Sequence, residues 1–347
     1  MMRCLRNLML AVSLVVVVLG AGSIAQAQQP GEGVTIRAGK ASWTSAEPIS
    51  AITQLLLEEL GYTIEGPTMF ASNPIAFLAV AQGDIDYFLD GWFPLHQSQL
   101  PFGFEIFGSV VGMICEGCAI EGYLVDIPSI EKYGIETLED FKRPEVKAAF
   151  DANGDGKADL FGCPPGWGCY EVIEHHLAAY GLHDHINHVK TDYTVGFADV
   201  RARIQNGEPV LFYTWAPNDT ILVTVPGKDV KWIGVPYIDL APAHEGFPEE
   251  FLIAENLEGA VKDPLPLGFI PNNIQFVANN DFLDNHPAAA ALLENIRLPL
   301  EWISEATLRI SSGEDSDEEI LAIAEAWIEE NRDLVDGWLQ AAREAAK

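Results

Sequence analysis

Between residues 34 and 89 the chain alternates between short extended runs and helical periodicity. Segments 34–38, 64–70 and 84–89 read as strands. Between the first two, Ile49, Ile52, Leu56 and Leu60 recur at helical spacing, Thr44-Ser45-Ala46-Glu47 has the form of a capping box, and Gly61 suits the C′ position. Between the second and third, Asn73-Pro74 supplies an N-cap and a first-turn proline, and Gly83 supplies a stop. Strands separated by helices pair through crossovers rather than hairpins, so this order predicts an α/β lobe with a largely parallel sheet.

Residues 108–125 are apolar and glycine-containing, and they are expected to carry the chain into a second lobe. There, 137–150 reads as helix with a break near Pro144, 171–180 as helix stopped by Gly181, and 199–205 as helix ending before Gly207. Segments 189–193, 209–214 and 230–235 read as strands. Residues 239–271 shift to Pro, Gly and acidic side chains, which suits a surface connection back to the first lobe. A strand at 274–278 and helices at 287–296, 300–310, 318–331 and 334–346 follow, with Trp327 and Trp338 read as core. A chain that leaves a lobe and returns to it predicts two α/β lobes, joined by crossing segments, with a ligand cleft between them. The division is 28–120 for the first part of lobe 1, 121–239 for lobe 2, and 240–347 for the return and the helical second part of lobe 1.

Arg3 and Arg6 precede an apolar run at 8–19, and Ala25-Gln26-Ala27 has the small-x-small form of a cleavage site, so 1–27 reads as a signal peptide. A stable span needs about 20 apolar residues, and no later segment is long enough, so no direct membrane insertion is expected. With 51 acidic residues against 20 basic ones, the formal net charge is −31. Such a surface repels nucleic acid and anionic headgroups, which excludes both as partners. Cys115, Cys118, Cys163 and Cys169 remain after export, and an even number favours disulfides with three pairings open. Cys163–Cys169 and Cys115–Cys118 are the local choices. The Cys115-Glu116-Gly117-Cys118 spacing resembles a redox motif, but no helix follows it, which favours a local disulfide or two free thiols.

Three tryptophans stand beside Gly or Pro at predicted strand ends or a helix start: Gly91-Trp92, Gly166-Trp167-Gly168 and Trp215-Ala216-Pro217. Ligands of α/β sheets sit beyond the C-terminal ends of strands, so the three can converge on the cleft. An indole face attracts a quaternary ammonium group by roughly 0.5–2 kcal/mol. The pattern predicts an aromatic box for a quaternary ammonium compound, with no bond made or broken. A helix starting near Cys169 would turn free N–H groups toward the same cleft, making Gly168 and Cys169 donors to a ligand carboxylate. His96 could add an imidazole donor, although its spacing equally suits an ordinary loop histidine. Neither a nucleophile–base pair nor a complete metal shell is assembled by motif, so an enzyme is not expected.

The run Gly162-Cys163-Pro164-Pro165-Gly166-Trp167-Gly168-Cys169, preceded by DANGDGKADL at 151–160, resembles the signature of the glycine betaine/proline betaine-binding proteins of ABC importers. The resemblance extends through Gly91-Trp92-Phe93-Pro94-Leu95-His96, Phe212-Tyr213-Thr214-Trp215-Ala216-Pro217 and Pro226-Gly227-Lys228-Asp229-Val230, and covers essentially the whole mature chain. It implies a two-lobed periplasmic binding protein, type II-like, that closes on its ligand by hinge motion. It implies a box of Trp92, Trp167 and Trp215 around a trimethylammonium group. His96 and the amides of Gly168 and Cys169 would hold the carboxylate, and Cys163 and Cys169 would form a disulfide. The implied partners are a cognate permease and its ATPase, with the binding protein itself a monomer. Three positions depart from the family pattern: Tyr170 where an acid often follows the second cysteine, Asn218-Asp219 after Pro217, and Asp90 ahead of Trp92. Either aspartate in the pocket would favour a full cation such as choline; a sulfonium compound such as dimethylsulfoniopropionate is a further alternative.

Two metal readings compete with simpler ones. Asp151, Asn153, Asp155, Lys157 (through its carbonyl) and Asp159 match the first nine positions of a calcium loop, but Gly162 stands where the bidentate Glu belongs. The same residues equally make a tight polar turn; calcium, if bound, would be structural, and no cofactor is required. His175, His176, His183, His185 and His188 raise a zinc-binding alternative, but their spacing better suits a solvated helix end.

Overall fold

The computed structural model describes residues 29–347. The signal peptide expected over 1–27 lies outside them. Strand β1 (Thr35–Ala41) is followed by helix α1 (Ala46–Glu59), β2 (Thr63–Phe70), α2 (Asn73–Gln82) and β3 (Tyr87–Phe93), and β1 pairs parallel with both β2 and β3. The expected parallel lobe is therefore present. Helix α1 buries Ile49, Ile52 and Leu56, and Gly61 just past its end has φ +92°, where a Cβ would be strained. The capping box does not form. The N-cap is Ser45 (φ −67°, ψ −10°) and not Thr44 as the box requires, its side chain caps nothing, and the Glu47 carboxylate accepts from Lys40 instead.

The chain continues through β4 (Gly108–Asp126), α3 (Ile127–Tyr133), α4 (Pro144–Phe150), β5 (Ala158–Phe161), α5 (Gly168–Ala179) and β6 (Ile186–Val189). Next come α6 (Tyr193–Asn206), β7 (Leu211–Ala216), α7 (Thr220–Val223), β8 (Val230–Ile233) and a short ribbon of β9 (Ile253–Ala254) with β10 (Leu265–Pro266). Strand β11 (Asn272–Asn279) and helices α8 (Asn280–Asn285), α9 (Pro287–Asn295), α10 (Leu300–Ser311), α11 (Asp317–Glu330) and α12 (Arg332–Ala345) complete it.

The strand order is β2-β1-β3-β11-β4-β7-β5-β6, with β8 also on β4. Strand β4, 19 residues long, is the crossing segment. Its first part, up to Ala119, pairs antiparallel with β11, and the part from Ile120 onward pairs with β7 and β8. The pairing with β11 is interrupted at two places, each with four residues of β4 against two of β11: between Cys115 and Ala119, which face Ile274 and Asn272, and between Val111 and Cys115, which face Phe276 and Ile274. Glu116 and Gly117 bulge outward at the first of these, and Cys115 and Cys118 close the bulge within disulfide distance (Cα–Cα 5.8 Å).

Two expectations fail locally. The strand expected over 189–193 lies earlier, ending at Val189 as β6, because the Asp192 carboxylate accepts from the Val195 N–H (3.1 Å) and starts α6 at Tyr193. The return at 239–271 is more than surface chain, since His244, Leu252, Leu267 and Phe269 are buried in it. Trp327 and Trp338 are core, stacked 6.1 Å apart. Among the described residues, no helix is long and apolar enough to cross a membrane.

Candidate ligand site

Asp90 lies in β3 at φ +68°, an uncommon conformation for a non-glycine residue, and its buried carboxylate accepts from two indoles. One is Trp92 Nε1 at 2.9 Å, and the other is Trp43 Nε1, delivered by the loop after β1. Burial pushes the Asp90 pKa up to about 6, against the opposing pull of these donors. Trp167 immediately precedes α5 and packs edge-on against Trp43 (5.2 Å, 77°) and Trp215 (5.5 Å, 80°). Tyr193 stacks behind Trp167 at 5.9 Å. Trp92 and Trp215 are the penultimate residues of β3 and β7 and do not lie in the loops beyond them.

These side chains enclose one cavity. It is lined by Trp43, Trp92, Leu95, His96, Glu121, Trp167, Gly168, Cys169, Tyr213 and Trp215, with at most about 270 Å³ of empty space. Only about 20 Å³ of it has room for the centre of a water molecule, so the rings stand nearly packed against one another. All six residues expected from the sequence therefore meet around one space. Trp43, Glu121 and Tyr213 were missed. Trp43 stands near a strand end as Trp92 does, but no Gly or Pro flanks it; Glu121 was legible as the lone charge between Cys118 and Val125 of β4.

At the α5 end, neither the Gly168 nor the Cys169 N–H finds an acceptor among the described residues, as expected for a helix N-terminus. Cys163 and Cys169 lie within disulfide distance (Cα–Cα 6.3 Å), closing the loop that presents them. Cys163→Ser with Cys169→Ser is expected to lower the unfolding free energy by about 2–3 kcal/mol in urea titration, as a short bridged loop should.

His96 is buried, and burial pushes its pKa down to about 3, so its ring is neutral. Its Nδ1 accepts from the Trp92 N–H (2.9 Å), and its Nε2 lies 3.0 Å from Asn73 Nδ2. Both ring nitrogens thus have protein partners, and the imidazole positions Trp92 as well as lining the cavity. The Glu121 carboxylate accepts from the Tyr213 hydroxyl and from Asn272 Nδ2 (3.1 Å). Burial raises its pKa to about 7, against both hydrogen bonds.

The two halves are shut on each other. The Asn73 N–H donates to the Gly166 carbonyl (3.1 Å), and Ser311 Oγ donates to Asp219 Oδ2 (2.6 Å). Asp219 therefore lies outside the aromatic cavity, in a neighbouring cleft.

The metal candidates sit elsewhere. Asp151 Oδ1 accepts from the Gly154 and Asp155 N–H groups, and its Oδ2 from Gly156. Asp155 Oδ1 accepts from the Lys157 N–H, and Asp159 accepts from the Ala152 N–H and Asn153 Nδ2. These bonds build a polar turn. The histidines are dispersed: His176 meets the Tyr123 hydroxyl, His188 meets Glu174, and His175 meets Asp239. Among the described residues, no three His, Cys, Asp or Glu side chains gather as metal ligands.

Residues 34–330 match the family model described as the substrate-binding domain of an ABC-type glycine betaine transport system. The chain is 36% identical, over 99% of its length and 100% of the relative's, to the glycine betaine-binding periplasmic protein OusX of Dickeya dadantii. It is 32% identical to the glycine betaine/proline betaine-binding periplasmic protein of Salmonella typhimurium, over 92% of this chain and 94% of that one. The fold matches a closed, glycine betaine-bound lactococcal OpuAC structure with a TM-score of 0.65 at 18% identity, covering 88% of this chain and 99% of that chain. A choline-binding protein of an ABC transporter in complex with choline also matches, with a TM-score of 0.65 at 16% identity, over 90% of this chain and 98% of that one.

Proposed function

Since the chain belongs to the family of substrate-binding domains of ABC-type glycine betaine transport systems, we propose that its aromatic cavity captures glycine betaine or a related onium osmoprotectant. The observation that carries this reading is the meeting of four indoles from distant parts of the chain around one compact space, with two free helix N–H groups at its edge. The indole faces hold the methylated head, which cannot donate a hydrogen bond, at roughly 0.5–2 kcal/mol each. The amides of Gly168 and Cys169 hold a carboxylate where the ligand has one. Together these contacts are of the size needed for affinity near micromolar, about −8 kcal/mol, after association costs.

In this reading the protein acts in the periplasm after loss of its signal peptide, as a monomer without a cofactor, and makes or breaks no bond in its ligand. Ligand touching both lobes stabilises the closed form, which then docks on a permease driven by an ATPase. Titration calorimetry of the mature protein with glycine betaine, proline betaine and choline tests it. At least one should bind near micromolar with quenching or enhancement of tryptophan emission; no heat and no emission change with any of them would overturn the reading.

A further inference from the structure

The geometry points to Glu121 as the specificity-determining residue of the cavity, a carboxylate that faces the onium head and tips selection toward ligands of net positive charge. This deepens the proposed function and rests on it. Glu121 is 1% exposed and lines the cavity beside Tyr213, and its only donors among the described residues are two neutral groups, the Tyr213 hydroxyl and Asn272 Nδ2. No Lys or Arg lines the cavity, and no ion pair reaches Glu121 among the described residues. A buried carboxylate without a cationic partner is costly, and a quaternary ammonium supplies the missing charge.

Asp90 acts in the same direction from behind the walls. Its carboxylate takes the N–H groups of both Trp43 and Trp92, which polarises those rings and makes their faces more attractive to a cation. Against two carboxylates, the site offers a ligand's anionic end only uncharged donors. A net cation such as choline therefore gains from Glu121 in full, whereas the carboxylate of a zwitterion repels it and offsets part of that gain.

The titratable groups around Glu121 are Tyr213 and Tyr123, both held protonated by burial, His96 across the cavity, neutral, and Asp90 behind the indoles. A cation beside Glu121 favours its ionised form, so binding drives off its proton, and affinity falls as pH drops below about 7. Asp90, ionising near 6, adds a shallower dependence at lower pH.

Glu121→Gln is the test variant. It keeps the side-chain size and both neighbours, since its amide can donate to the Tyr213 oxygen while its carbonyl accepts from Asn272 Nδ2. Dissociation constants for choline and for glycine betaine are measured by calorimetry at pH 8, on wild type and variant, with melting temperatures as the check on folding. We expect choline to weaken about tenfold or more in the variant and glycine betaine by less, shifting their ratio at least about fivefold. Between pH 5.5 and 8 the rise in choline affinity should be steeper for wild type than for the variant. A ratio that does not move, or equal pH profiles, overturns this assignment and leaves the proposed function standing; wild type binding neither compound overturns both.

Discussion

Trp167→Ala is expected to weaken onium binding at least about tenfold, near 1.4 kcal/mol. Trp167 is the central ring of the cluster, 5.2 Å from Trp43 and 5.5 Å from Trp215 by centroid. Its removal takes away one face and also releases its two neighbours from their edge-on contacts, so the loss exceeds a single cation–π contact. Because the ring is 7% exposed, the truncation also leaves a void and some loss of stability. Trp167→Phe separates the two effects: it preserves packing with a weaker π face, and should cost about two- to fivefold in affinity with little change in melting temperature. Calorimetric affinities equal to wild type in the alanine variant would remove Trp167 from the site.

Gly168→Ala should weaken binding about 5–150-fold while leaving the ligand-free protein as stable as wild type. A Cβ at this position would stand 2.7 Å from Leu95 Cγ and 2.9 Å from His96 Cδ2. Both neighbours belong to the segment after β3, on the opposite side of the cleft from α5, so the collision exists only when the cleft is shut. Overpacking of this kind costs about 1–3 kcal/mol, and here it falls on the closed form alone. The residue opens a helix, where alanine is favourable, so the open form has no reason to suffer. A variant with unchanged affinity, or one that melts several degrees early without ligand, would contradict this account of closure.

Most of the architecture was legible because its signals are local. Gly83 ends α2 in the left-handed conformation its position suggested, and four C-terminal helices follow their apolar periodicity. Where local propensity met a cap, the cap won: Tyr193 and Thr194 favour strands, yet Asp192 commits them to α6. The box was legible through three tryptophans marked by neighbouring Gly or Pro. Trp43 carries no such mark, and its place is set by Asp90, 47 residues on. Similarly, Asp90 suggested a pocket charge from its position next to the box, but it spends its oxygens on indole N–H groups, while the carboxylate that lines the space comes from Glu121. Such assignments depend on which side of a strand meets another lobe, and spacing within one segment carries no record of that.

The bulge between Cys115 and Cys118 is the last break in the β4–β11 ladder before the strand crosses to β7 and β8. Beyond it the strand is held in the ladders with β7 and β8, whereas at the bulge the Gly117 N–H donates to a side chain, Asn273 Oδ1 (2.8 Å), in place of a ladder carbonyl. Were the halves to hinge there, Glu121, three residues past Cys118, would sit near the pivot, with Trp92 and Trp167 on opposite sides of the cleft. In such a motion the anionic wall would be the stationary seat against which the rings shut.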